Sequence, residues 1–254
     1  MDAKYFHFSV HKLGNDFKDY EDAYSPKLSG NIDIDYFVCA ISDGASESSF
    51  ASEWAKMLTR AYVKSPFKNV DSTKKTIEVL AKHWHKIVYR LPLPWFAEEK
   101  VRLGAFASFL GLELSSSQTN ERSDYNWSAI ASGDSCLFQV RNNQLIDSFP
   151  ILSSKEFNNS PVLISSNLIK NVLVWEKIQL KQGTWEKGDI FILMTDAIAN
   201  WFLVQYELNE RPWEIIHGFI DNQNRHELFE NWINNLRSLS QLKNDDVTIL
   251  FIKL

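Results

Sequence analysis

Short apolar runs separated by polar, turn-forming residues set the rhythm of this chain. Tyr5–Val10, Tyr36–Ile41, Ala105–Leu114, Trp127–Ala131 and Cys136–Val140 are the first five. Leu145–Phe149, Val172–Ile178, Ile190–Met194 and Val247–Ile252 follow. Their length and bounding residues predict β-strands. Asn142-Asn143 predicts a tight hairpin turn, because Asn tolerates positive φ, and Lys187-Gly188-Asp189 predicts a turn into the next strand.

Helical spacing appears at Phe50, Trp54, Met57, Leu58 and Ala61, and again at Ile77, Leu80, Ala81, Trp84 and Ile87. A third stripe is Leu228, Phe229, Trp232, Ile233 and Leu236. Each predicts an amphipathic helix. Asp71 and Ser72 are candidate caps for the second, and a shorter helix is expected over Ile198–Gln205. Strands, two helices, a block of strands, helices and a last strand do not make a βαβ alternation. The order predicts an α+β fold with antiparallel sheets flanked by helices. No repeat or linker divides it, so one domain over residues 1–254 is expected.

Composition narrows the class. A hydrophobic fraction of 44% is ordinary for a globular chain. A net charge of −5, without a basic block, gives no support for a nucleic-acid partner. No apolar run is long enough to span a bilayer, and Met1 to Val10 does not resemble a secretory signal. No membrane association and a cytoplasmic location are expected. Cys39 and Cys136 each lie inside an apolar run and are expected to be buried free thiols.

The chemistry lies in the acidic residues. Asp43-Gly44 follows one apolar run, Asp196 follows another, and Asp245-Asp246 precedes a third. Carboxylates gathered beside apolar strands are costly unless a cation neutralises them. Oxygen-only ligands favour Mg²⁺ or Mn²⁺ over zinc. Glu21-Asp22 and Gly133-Asp134-Ser135 complete an ordered set of five clusters. The bland alternatives are turn and capping roles for Asp22, Asp43 and Asp134, and a solvated turn for Asp245-Asp246. His83 and His85 face different sides of a helix and do not form a zinc pair. Neither a Gly-x-Ser-x-Gly elbow nor a phosphate-binding Gly-Lys-Ser/Thr loop is present.

Taken together, Glu21-Asp22, Asp43-Gly44, Gly104-Ala105, Gly133-Asp134-Ser135, Thr195-Asp196 and Asp245-Asp246-Val247-Thr248 resemble the metal-dependent protein phosphatase 2C family nearly end to end. The resemblance implies a four-layer α-β-β-α sandwich with two central, mainly antiparallel sheets and a dinuclear site at one end. By position, Asp43 bridges both ions, and Asp196 and Asp245 hold the first. Glu21 and the Gly44 carbonyl serve the second, and Asp22 hydrogen-bonds to water in the coordination shell. Asp134, with Asp196, matches a weaker third site. The implied reaction is hydrolysis of phosphoserine or phosphothreonine in a protein substrate, within a signalling system that includes a cognate kinase.

Three departures matter. The family's phosphate-gripping Arg is replaced by Phe17, with Lys18 beside it as a substitute of lower directionality. Ala45 stands where a His often follows Asp-Gly, and Ala197 replaces a Gly after Asp196. The segment between Phe149 and Trp175 is short for a substrate flap. These losses keep open a second reading, a weak or inactive pseudophosphatase that binds phosphoproteins as a regulatory module.

Overall fold

Alternation of side chains across two stacked sheets organises the molecule. The computed structural model describes residues 3–32, 35–92, 95–118, 123–158 and 160–254. Numbered in chain order, a six-stranded sheet runs β3 (Gly30–Ile32), β1 (Ala3–Val10), β13 (Val247–Lys253), β12 (Ile190–Met194), β8 (Cys136–Arg141) and β9 (Gln144–Phe149). A five-stranded sheet runs β11 (Gln179–Thr184), β7 (Ser123–Ser132), β6 (Phe109–Gln118), β4 (Tyr36–Ser42) and β2 (Ala23–Ser25). A small ladder joins β10 (Ile164–Ser165) to β5 (Phe106–Ala107), and all these pairings are antiparallel.

Successive strand residues face opposite layers. Leu250 and Ile252 of β13 and Leu193 of β12 meet Cys39 and Ile41 of β4 between the sheets. Ile249, Phe251, Ile192 and Met194 point the other way, onto α5 (Asp196–Glu207), α6 (Pro212–Ile220) and α7 (Arg225–Ser238). Val38 and Ala40 of β4 pack on α1 (Ala51–Lys64) and α2 (Val70–Val88). The result is the expected α-β-β-α layering. Burying one such aliphatic side chain contributes about 1.5–3 kcal/mol, so three stacked cores can support a costly polar site at one end.

Several expectations need correction. Val172–Ile178 is not a strand: Val172–Lys177 is helix α4, with Val174 buried and Leu173 exposed. A short apolar run does not distinguish strand from helix. Tertiary contacts decide here, because Asn171 spends its amide on both backbone groups of Ser165. The run Ala105–Leu114 breaks at Ser108, whose amide donates to the Asp43 carbonyl at 2.8 Å. Asn69, not Asp71 or Ser72, caps α2; its side chain accepts from the Ser72 amide at 2.8 Å, while the Ser72 hydroxyl accepts from the Asn69 amide. Helix α6, α3 (Trp95–Leu103) and the polar edge strand β11 were not foreseen, although α6 buries Trp213, Ile216 and Ile220 at helical spacing. The hairpin turn at Asn142-Asn143 joins β8 to β9 with both residues at positive φ, and Gly188, at φ +94°, turns the chain into β12 as expected. Cys39 and Cys136 are buried free thiols.

Candidate metal centre

Strand register brings the acidic clusters to one end of the sandwich. Val10 pairs with Val247, and Met194 pairs with both Ile249 and Cys136. The loops carrying Lys12, Asp245, Asp196 and Asp134 therefore leave the six-stranded sheet together. In the other sheet Ala23 pairs with Ser42, which sets Asp22 beside Asp43. Segments remote in sequence meet because antiparallel neighbours end where their partners begin.

Asp22 is the most enclosed of these acids, with 2% of its surface exposed. Its Oδ2 accepts from Thr248 Oγ1 at 2.7 Å and from Thr195 Oγ1 at 3.1 Å. Thr195 Oγ1 in turn accepts from the Thr248 amide at 2.9 Å. Tyr20 contacts the Thr248 hydroxyl and donates to the Val247 carbonyl at 3.1 Å. The threonines that accompany Asp196 and Asp246 in sequence thus serve a third carboxylate. Asp22 Oδ1 is buried and has no hydrogen-bond partner among the described residues. Burial first, then the charge of Asp246, raises the pKa of Asp22 well above the usual carboxylate range, and the threonine hydroxyls oppose the shift.

Asp43 ends β4. Its amide donates to Ser108 Oγ at 3.1 Å, and Ser108 Oγ lies 2.7 Å from Ser135 Oγ. That chain of hydroxyls ties the Asp43 loop to the Gly133-Asp134-Ser135 turn, where Gly133 has φ +94°. Gly44 is required by close approach. A Cβ there would stand 2.8 Å from the Glu21 carbonyl oxygen and 2.9 Å from the Ala51 carbonyl carbon, both rigid backbone atoms. Gly44→Ala is expected to cost about 1–3 kcal/mol and to separate the Asp43 and Glu21 loops. Thermal melting together with Mn²⁺ titration checks this; an unchanged melting temperature and metal affinity would remove the proposed reason for glycine.

The remaining carboxylates already meet cations of the chain itself. Glu21 Oε2 accepts from Lys12 Nζ at 3.1 Å and also from Ser46 Oγ. Lys243 Nζ lies 2.7 Å from Asp245 Oδ2 and 3.5 Å from Asp196 Oδ2. Asp246 points away, taking the amides of Lys12 at 2.8 Å and Glu21 at 2.7 Å. Buried Arg237 of α7 donates to the carbonyls of His11 at 3.0 Å and Asp245 at 2.5 Å. Asp246 and Arg237 therefore hold the loops, leaving Asp245 free to face the cleft. Lys18 is not brought in: it is exposed and pairs with Asp16 at 2.9 Å.

Asp43, Gly44, Asp134, Asp196, Asp245 and Lys243 line one cleft of about 620 Å³. Phe157, Pro161, Leu163 and Trp201 form its apolar wall, so the short segment after Phe149 still contributes a side to it. Ala197 occupies the first turn of α5 and is not among the residues with positive φ, so the missing glycine imposes no strain. Burial, then the charges of Asp22, Asp196, Asp134 and Asp245, raises the pKa of Asp43 well above normal. Burial, followed by Asp196, lifts Asp134 to about 7. Burial also raises Asp196, with Asp245 adding to the shift and Lys243 opposing it.

The donor set fits hard divalent ions. Buried Asp189, at the far end of β12, provides the contrast. It is fully served by Arg141 at 2.8 and 2.7 Å, Gln139 at 2.8 Å and the Glu186 amide at 3.0 Å. Asp43 takes no hydrogen bond on its carboxylate from any described residue, and Asp22 Oδ1 is orphaned. Such groups call for an external cation or its water. Among the described residues no three acidic, thiol or imidazole side chains stand close enough to form a finished coordination shell.

Sequence reasoning missed Lys12, Lys243, Arg237, Ser108 and the supporting role of Asp246. Only the position of Lys243 two residues before Asp245 was a visible signal; the others come from segments whose proximity depends on the fold.

No protein-family model and no curated protein sequence matches the chain. Solved structures do. The Mycobacterium tuberculosis serine/threonine phosphatase PstP/Ppp aligns with a TM-score of 0.60 at 12% identity, covering 100% of this chain and 99% of that one. The PstP catalytic domain in complex with two manganese ions gives 0.57 at 12% identity, with 99% and 98% coverage. RsbX in complex with magnesium gives 0.50 at 19% identity, with 100% and 96% coverage. The phosphatase domain of Bacillus subtilis SpoIIE, described as PP2C, gives 0.53 at 14% identity, covering 100% of this chain and 64% of that one. The fold of this chain is the phosphatase 2C fold.

Proposed function

We propose that this chain, acting as a single domain of the phosphatase 2C fold, is a metal-dependent protein serine/threonine phosphatase using two Mn²⁺ or Mg²⁺ ions. The observation that carries the proposal is the convergence of Asp43, Asp134, Asp196 and Asp245 on one cleft, backed by Asp22 and Glu21. Asp43, Asp196 and Asp245 would hold the first ion, and Asp43, Glu21 and the Gly44 carbonyl the second. Asp134 with Asp196 is the candidate third position. Two such ions would supply Lewis acidity and an activated water, so no Ser or Cys nucleophile would be needed.

The chain's own residues do the rest. Thr195 and Thr248 fix one oxygen of Asp22, so the other is presented as an acceptor for water at the site. Arg237 and Asp246 keep the loops of Lys12, Glu21 and Asp245 in register. The wall of Phe157, Pro161, Leu163 and Trp201 excludes water from one side of the bound phosphoester. The solved structures support this reading through the manganese and magnesium named with PstP and RsbX. A phosphorylated protein as substrate, a cognate kinase and a cytoplasmic location are parts of the same proposal.

The lysines resting on Glu21, Asp196 and Asp245 favour one alternative, a protein that keeps the fold and binds phosphoproteins without turnover. Phosphate release from a phosphothreonine peptide, measured with Mn²⁺ and with EDTA, separates the two. Turnover lost in EDTA supports the phosphatase. Absence of turnover in folded, Mn²⁺-loaded protein supports the binding module. A small phosphoester run in parallel tests whether the substrate must be a peptide.

A further inference from the structure

The two lysines at the acidic cluster differ in a way that separates their roles. Lys12 is fixed. Its side chain is 19% exposed, its ammonium bonds both Glu21 and Ser46, and its amide is held by Asp246. Lys243 is not: its side chain is 64% exposed and it rises from the loop between α7 and β13. Its contacts at the site are to Asp245 and Asp196, the two carboxylates assigned to the first ion, at 2.7 and 3.5 Å. Among the described residues that line the cleft it is the one cation.

Resting on the phosphatase reading, we propose that Lys243 is a tethered counter-ion for Asp196 and Asp245, displaced by the first divalent ion and thereafter available to the substrate's phosphate. An exposed ion pair is weak, because water screens it and ordering a long side chain costs entropy. A divalent ion attracts both carboxylates at once and accepts more oxygen ligands than an ammonium can. The lysine therefore yields. Its tether, however, keeps the charge beside the cleft. Among the described residues no other cation lines the cleft: Lys12 is held by Glu21 and Ser46, and Lys18 faces solvent with Asp16.

The test uses isothermal titration calorimetry on the full chain. Lys243→Met is expected to bind Mn²⁺ about fivefold more tightly than wild type, the order of one exposed ion pair. In Mn²⁺-loaded protein the same variant should bind inorganic phosphate on the order of tenfold more weakly, as for loss of one charged hydrogen bond. Lys243→Arg should keep the wild-type order of both affinities. If Lys243→Met binds Mn²⁺ no more tightly than wild type, or binds phosphate as well as wild type does, the role of Lys243 falls while the metal centre stands. If neither protein takes up Mn²⁺, the inference falls together with the phosphatase reading.

Discussion

Asp43→Asn is expected to abolish Mn²⁺-dependent release of phosphate from a phosphothreonine peptide while raising the melting temperature of the metal-free protein. The two changes have one cause. Asp43 ends a strand buried on both faces, and its carboxylate faces Asp22, Asp196, Asp134 and Asp245 without a hydrogen bond from any described residue. Within the cleft, that carboxylate is left to an external cation or to water. An amide keeps the shape but removes the charge that two ions would share. Loss of a supporting group around a metal typically costs about 10–100-fold; loss of the shared ligand should cost at least on the order of 100-fold. The same substitution relieves repulsion in the empty cluster, so a gain of about 1 kcal/mol, or about 2–4 °C, is expected in EDTA. A simple folding defect would lower activity and melting temperature together. Full turnover in Asp43→Asn would end the two-metal mechanism.

The stabilisation conferred by Mn²⁺ is expected to grow as pH rises from 5 to 8. In the metal-free fold Asp22, Asp43, Asp134 and Asp196 all have raised pKa values, whereas an Asp in the unfolded chain ionises near about 3.9. Below that value both states are protonated, and the stability contributed by these groups is fully present. As pH rises, the unfolded chain releases its protons first, so the folded state loses ground. The loss continues through the folded values, which for Asp134 means about 7. Mn²⁺ binds the deprotonated carboxylates and removes the penalty. For a partly exposed group such as Asp134 the effect is roughly 2 kcal/mol, or about 4–8 °C in the difference between melts with and without metal. Taking that difference cancels ordinary acid titration elsewhere. Differential scanning fluorimetry at half-unit pH intervals measures it, and a metal-induced shift that is absent or independent of pH would contradict the assignment.

Much of the fold was legible because it rests on local periodicity. The runs at Tyr36–Ile41, Ile190–Met194 and Val247–Ile252 became central strands because each is apolar on both faces, and that pattern survives only in the middle of a layered sandwich. The stripes through Trp54, Trp84 and Phe229 became helices for the same local reason. Where periodicity was weak, reading failed. Val172–Ile178 has the length of a strand and the apolarity of a buried helix turn, and the Asn171 amide on Ser165 settled it. Edge strand β11, polar on most positions, carried no signal at all.

The site divides along the same line. The sequence by itself determined which acids stand at the ends of apolar strands, and hence that they must either meet a cation or face water. Glycine after Asp43 was also visible there, but the reason for it, the Glu21 carbonyl 2.8 Å from any added Cβ, was not. What only the tertiary structure decided is how unlike roles were dealt to like residues. Asp245 faces the cleft while Asp246 ties down two backbone amides; Asp22 is held by threonines that are distant from it in sequence. Lys18 points to solvent, while Lys12 and Lys243 reach the carboxylates. Composition and spacing specify charge and the likelihood of burial, but hydrogen-bond partners are assigned by which segments the antiparallel registers bring side by side.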